Sequence, residues 1–235
     1  MYNKFCFYFL LFIIYSFVGW SIEVIGKLIE KHKFINRGFL VGPICPIYGW
    51  GCITMILFLT KYKSDPIILF CMAILICSVL EYFTSYFMEK LFHARWWDYT
   101  RRKFNINGRI CAETMIPFGL LGCLVIYLIN PIFSNIILKF TPLTINIIAT
   151  IILVIYLIDN LVSLSIMFGF KDTLKTIEKD GTEEITKRVR EVLHKRNFLY
   201  KRLVDAFPTL LINKERLLLL QEQIKNDLSK LSIKK

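Results

Sequence analysis

Five blocks of apolar residues, nearly free of charge, constrain this chain more than any other feature of its sequence. They run over residues 5–25, 44–60, 66–87, 115–138 and 143–170. A membrane span needs about 20 residues at 1.5 Å rise per residue. The first and fifth blocks meet that length outright. The second is short, with Pro43 just ahead of it as a suitable residue for a helix start. The third stays apolar to Leu80 and then carries Glu81, and the fourth is broken by Asn130-Pro131. A soluble fold would need several long helices with no polar face, which the period of a surface helix does not allow. The expected fold is therefore all-α and polytopic, with about five transmembrane helices over residues 1–170. A basic cytoplasmic helical tail follows over residues 171–235.

Composition and charge agree with that class. The 235 residues are 55% hydrophobic, with 20 Phe and 11 Tyr, and the mean hydropathy is +0.52. The net charge of +12 would suggest nucleic acid in a soluble chain. Here it is distributed by side. Lys27, Lys31, Lys33 and Arg37 join the first two blocks, and Lys90, Arg95, Arg101, Arg102, Lys103 and Arg109 join the third and fourth. The tail is basic as well, whereas the opposite joins hold only Lys61, Lys63 and Lys139, with Lys4 before the first block. Positive charge marks the cytoplasmic side, which predicts a plasma-membrane protein with its N-terminus outside and C-terminus inside. The basic loops then face anionic lipid, and no nucleic-acid partner is expected. Gly19-Trp20-Ser21-Ile22-Glu23 offers no small-residue cleavage site, so the first block reads as an uncleaved helix. The seven cysteines show no CxxC pair and no zinc spacing, which predicts neither a disulfide framework nor a metal or other cofactor.

A repeat is visible within the membrane part. Asn36-Arg37-Gly38 precedes Pro46 and Gly49 much as Asn107-Gly108-Arg109 precedes Pro117 and Gly119, with Asn ten residues ahead of Pro in both. Each stretch opens an apolar block, and each follows a block ending in an acid, Glu23 or Glu81. The predicted unit is a helix pair, so the two copies run parallel. The fifth block adds a third acid, Asp159.

An ionised acid within a span costs roughly 2.5 to 3.5 kcal/mol unless paired or hydrated. That predicts an interior polar site from Glu23, Glu81 and Asp159, with Arg37, Arg109, Asn36 and Asn107 on irregular segments that reach the same depth. Gly/Pro-rich backbone is tolerated there only where protein covers it or a cavity receives it. A purely structural reading stands beside this one. Glu23 has Lys27 one turn on; Glu81 shares a helix side with Ser78, Ser85 and Glu89; Asp159 has Tyr156 and Ser163 for neighbours. Trp96, Trp97, Asp98 and Glu113 fall in or beside the long loop as interface or loop candidates.

Phe17-Val18-Gly19-Trp20-Ser21-Ile22-Glu23, the stretch from Asn36 to Gly49, Leu80-Glu81-Tyr82-Phe83-Thr84-Ser85, Trp96-Trp97-Asp98-Tyr99 and Asn107-Gly108-Arg109-Ile110-Cys111 carry a family resemblance. In them the chain resembles the family named putative ABC transporter permease (putative ABC-transporter type IV), over about residues 5–130. The resemblance implies a multi-span bacterial membrane protein with a transport role. The sequence holds no GxxxxGK[ST] loop, so a permease of this kind would take its ATPase as a separate chain.

Three functions compete. The first is a transport component with a polar interior site. The second is a non-catalytic adaptor whose tail recruits a partner. The third is a lipid-acting enzyme using His93, Asp98 and Glu113 as acid/base groups. With no HExxH or GxSxG motif the chain reads as non-enzymatic. In the tail, Ile185, Val189, Val192, Leu199 and Leu203, then Leu217, Leu220, Ile224, Leu228 and Leu231, form two apolar stripes separated by Pro208. These would close as a hairpin, on a second copy of the chain in a homo-oligomer, or on the membrane.

Overall fold

The computed structural model describes residues 2–92 and 96–180, the side chains of 169–180 excepted. The two-helix tail predicted beyond residue 180, and His93 and Arg95, lie outside the described residues.

The described chain is mostly helical. Helix α1 is Tyr2–Lys31, α2 Pro46–Leu59, α3 Pro66–Phe92, α4 Ala112–Leu124, α5 Asn130–Leu138 and α6 Pro142–Asp180. Two short strands, β1 (Asn105–Ile106) and β2 (Ile110–Cys111), pair antiparallel ahead of α4. Four helical stretches are long and apolar enough to cross a membrane: Tyr2–Lys31, Pro66–Phe92, Ala112–Leu138 and Pro142–Phe168. The third of these is α4 and α5 joined through a π-helical stretch, Val125–Ile129. Pro131 has no N–H for the carbonyl four residues back and its ring would crowd it. The widened π turn just ahead of it lets the helix continue where the sequence predicted a break.

The chain runs between two ends. At one, Tyr2 meets Thr150 (2.7 Å), Asn3 meets Asn146 (2.8 Å) and the Tyr127 hydroxyl donates to the Lys63 carbonyl (2.7 Å). At the other, Phe39 packs against Phe92 (6.0 Å between ring centroids) and Trp96 (6.3 Å), and Phe92 against Phe168 (5.7 Å). Helices α1, α3 and α6 therefore run the same way, with α2 and α4–α5 returning between them. The most extensive packing is within α1/α2 and α3/α4, and α6 lies against α1.

The core explains the order. Leu11, Phe12 and Tyr15 of α1, Met55 and Leu59 of α2, Leu69 and Ala73 of α3 and Val125 and Ile126 of the π turn are buried together. Outward, Ile147, Ile151, Ile155, Ile158 and Leu161 of α6 are all exposed. An apolar face of that size would be costly against water and is the face a lipid tail accepts.

The second apolar block differs from a full span. Its helix has 14 residues, about 21 Å by helical rise, and it starts inside the bundle. The Cys45 amide donates to the Ser16 carbonyl at 3.0 Å. Ser16 lies about 22 Å back along α1 from Lys31, so the chain after α1 folds back down before α2 begins. The helix start is closely packed. A Cβ on Gly49 would lie 2.7 Å from the Phe12 carbonyl oxygen, and only glycine fits there. Gly119, which follows Pro117 as Gly49 follows Pro46, also sits at a close helix approach: a Cβ there would lie 2.5 Å from the Phe70 ring.

The two copies match at their caps and not at their prolines. Cys45 caps α2 and Cys111 caps α4, whereas Pro46 is the first residue of α2 and Pro117 lies inside α4. The ten-residue Asn-to-Pro spacing thus sets Pro46 against a residue a turn further into its helix. The strand pair was absent from the all-α reading. Asn107 and Gly108 both have positive φ, 52° and 66°, and the Arg109 amide donates to the Ile106 carbonyl at 3.0 Å, the mirror-image turn that Asn-Gly favours.

Candidate functional site

The folded-back segment is held by side chains. Asp159 on α6 accepts the Val41 amide at 2.9 Å through one oxygen and the Gly42 amide at 2.9 Å through the other. The Ser163 hydroxyl, one turn on, donates to Asp159 at 3.1 Å. Asn36 accepts the Trp20 indole N–H at 2.7 Å and the Gly38 amide at 3.1 Å, and donates to the Val41 carbonyl at 3.0 Å. Backbone without helix or sheet needs such partners at this depth, where water does not supply them. A Cβ on Gly42 would stand 2.8 Å from the Asp159 carboxylate, so glycine allows the carboxylate onto the amides.

The hairpin in the second loop sits against the C-terminal half of α3. Arg109 pairs with Glu89 at 2.6 Å and lies over the rings of Tyr82 and Tyr86, 5.5 Å from each centroid. The Asn107 amide donates to the Tyr82 hydroxyl at 3.0 Å, and the Trp97 indole N–H to the Arg109 carbonyl at 3.0 Å. Trp96 is buried beside Phe39 and Phe92. Asp98 accepts the Thr100 amide at 3.0 Å, a local turn, and Glu113 pairs with Arg102 at 2.9 Å on an exposed surface.

Two carboxylates remain, one from each helix pair, and a tyrosine meets each. The Tyr48 hydroxyl on α2 donates to Glu23 at 2.7 Å, and Arg37 stands 3.7 Å from the other Glu23 oxygen. Lys27 pairs with Glu30 instead of Glu23. The Tyr99 hydroxyl donates to Glu81 at 3.2 Å. The Glu81 side chain is buried; the Thr114 hydroxyl stands near its carboxylate, but its second oxygen makes no well-formed hydrogen bond among the described residues, nor do the hydroxyls of Ser78 and Ser85, buried on the same side of α3. Burial, and after it the Glu81 carboxylate, hold the Tyr99 phenol well above its ordinary pKa, and Glu23 adds to the same effect. Tyr99 therefore stays a donor to Glu81.

Of the seven interior residues predicted, Glu23 and Arg37 meet at one carboxylate with Tyr48, and Glu81 meets Tyr99. Asp159 and Asn36 hold the folded-back segment, and Arg109 and Asn107 hold the hairpin. Tyr48 and Tyr99 were not among the predicted site residues. Spacing along the chain gives no sign that they face the acids, since each lies about 20 residues from its partner.

The geometry defines a helical membrane protein with two parallel helix pairs, a further helix and polar groups on both pairs, buried at Glu81 and part-buried at Glu23, Tyr48 and Tyr99. Residues 10–164 match the model of the family described as Putative ABC-transporter type IV, and the chain belongs to that family. No curated protein and no solved structure matches the chain.

Proposed function

We propose that this protein is the membrane-spanning component of a transporter, and that the cluster of Glu23, Tyr48, Tyr99 and Glu81 is where its solute passes. The observation that carries this reading is Glu81: a buried carboxylate on an apolar helix, with one oxygen on Tyr99, the Thr114 hydroxyl nearby, and the second oxygen without a well-formed hydrogen bond among the described residues. A purely structural acid at that depth would have both oxygens engaged, as Asp159 has. Two carboxylates with tyrosine hydroxyls suit a cationic or hydroxyl-rich solute, and the role is binding and not chemistry. Membership of an ABC-transporter family supports a transport setting. The energy then comes from an ATPase on a separate chain, docked on the Lys/Arg-rich side. We take that side as cytoplasmic, in the plasma membrane, with five traverses and the N-terminus outside.

Comparing solutes inside and outside cells tests this in three strains of the source organism: gene deleted, wild-type restored, and Glu81→Gln restored. Deletion and Glu81→Gln are expected to shift the same solute, with Glu81→Gln protein at wild-type abundance in the membrane. Full complementation by Glu81→Gln, or no solute difference on deletion, would sink the reading.

A further inference from the structure

Both loops at the end of the molecule where Phe39 meets Trp96 present the same short pattern. Lys31-His32-Lys33-Phe34 follows α1, and Arg101-Arg102-Lys103-Phe104 precedes β1. All eight residues are exposed, and the two phenylalanines are 67% and 85% exposed, among the most open large apolar residues described. Each pattern contains a residue with positive φ, His32 and Phe104, both at 51°. A phenylalanine held in that backbone region at a loop tip loses stability to no visible packing gain.

The depth of these tips narrows what they meet. About 20 residues fill a span; counted from Tyr2 they end beside Trp20, and counted from Pro66 they end between Tyr82 and Tyr86. Phe34 folds back to Trp20, with 6.3 Å between ring centroids. Asn107, three residues beyond Phe104, bonds to the Tyr82 hydroxyl. Both phenylalanines thus lie at the edge of the apolar layer and not out in water. Aromatic rings at that level with basic groups beside them match the boundary between acyl chains and headgroups.

We infer that Phe34 and Phe104 are paired prongs that enter the membrane boundary while Lys31, Lys33, Arg101 and Lys103 bind anionic lipid headgroups. Each Lys or Arg near an anionic surface strengthens association by about fivefold, so the four together respond sharply to lipid charge and to salt. Arg102 contributes less, since it pairs with Glu113. The inference requires only that the protein spans a membrane, and it holds whether or not the carboxylate cluster binds a solute.

Amide exchange over residues 30–36 and 100–107 tests it, with the full chain in nanodiscs of phosphatidylcholine alone or mixed with phosphatidylglycerol. Both segments are expected to exchange severalfold more slowly in the anionic discs, and high salt is expected to remove the difference. Phe34→Ala with Phe104→Ala is expected to abolish the slowing in both segments, and Arg101→Glu with Lys103→Glu to abolish it over residues 100–107, with α3 exchange unchanged as the control for folding. Equal exchange in the two lipids would overturn the inference. Protection that arises only when a soluble chain copurifies would overturn it too, since the prongs would then belong to a protein interface.

Discussion

Asp159 shows how one side chain can carry a length of irregular backbone. Its two oxygens take two successive amides, and Ser163 takes part of the charge. Asp159→Ala would orphan the Gly42 amide, at about 1–3 kcal/mol, and leave the Val41 amide only its bond to the Ser163 hydroxyl at 3.1 Å; Asp159→Asn keeps one acceptor. The thermal midpoint of the detergent-solubilised protein is expected to fall for both, and clearly further for Ala. Gly49→Ala is expected to destabilise comparably, because its Cβ would meet the Phe12 carbonyl on the neighbouring helix, where the backbone cannot move aside cheaply. A Gly49→Ala protein as stable as wild type would refute that packing. Glu23, Glu81 and Asp159 were all visible in the sequence as costly acids. Their different uses were not, because the partners are Tyr48, Tyr99 and the Val41 and Gly42 amides, which only the folded chain brings near.

At the scale of elements, α2 is the unusual member. Its 14 residues cover about two-thirds of what a lone span would need, and the remaining depth is occupied by the chain from Asn36 to Cys45. That segment has side-chain or backbone partners at Asn36, Gly38, Val41, Gly42, Ile44 and Cys45. The amides of Val41, Gly42, Ile44 and Cys45 are expected to exchange as slowly as those of α2, although they are not helical. Asp159→Ala should raise their exchange at least tenfold while leaving α3 unaffected. Fast exchange in the wild type would mean that the segment lies in water. The hairpin at Asn107-Gly108 is the other element of interest. The Asn-Gly signal for it was present in the sequence, but two-residue strands are too short to register as an alternation of apolar and polar residues.

For the molecule as a whole, the relation of the two ends is what matters. Residue 63 lies at the end with Tyr127, and residue 103 is in the loop at the end with Phe39 and Trp96. If the chain crosses five times, an impermeant maleimide is expected to label Lys63→Cys in intact cells, and Lys103→Cys only after the membrane is opened, judged against the native cysteines as background. Labelling of both from one side would remove the five-traverse arrangement and the orientation with it.

The apolar blocks, the sidedness of Lys and Arg, and the matching Gly49 and Gly119 belong to the sequence alone, since burial in lipid, charge sidedness and close helix approach each act through residue type and order. The membership in a transporter family rests there as well, over residues 10–164. Tertiary structure decided what the polar residues do. Whether an acid holds backbone, pairs with arginine or stands half-unpaired depends on which groups stand within about 3 to 4 Å of it, and those groups come from chain positions 14 to 118 residues away. It decided the length of α2 too, because a broken segment is stable at depth only when another helix supplies its hydrogen-bond partners.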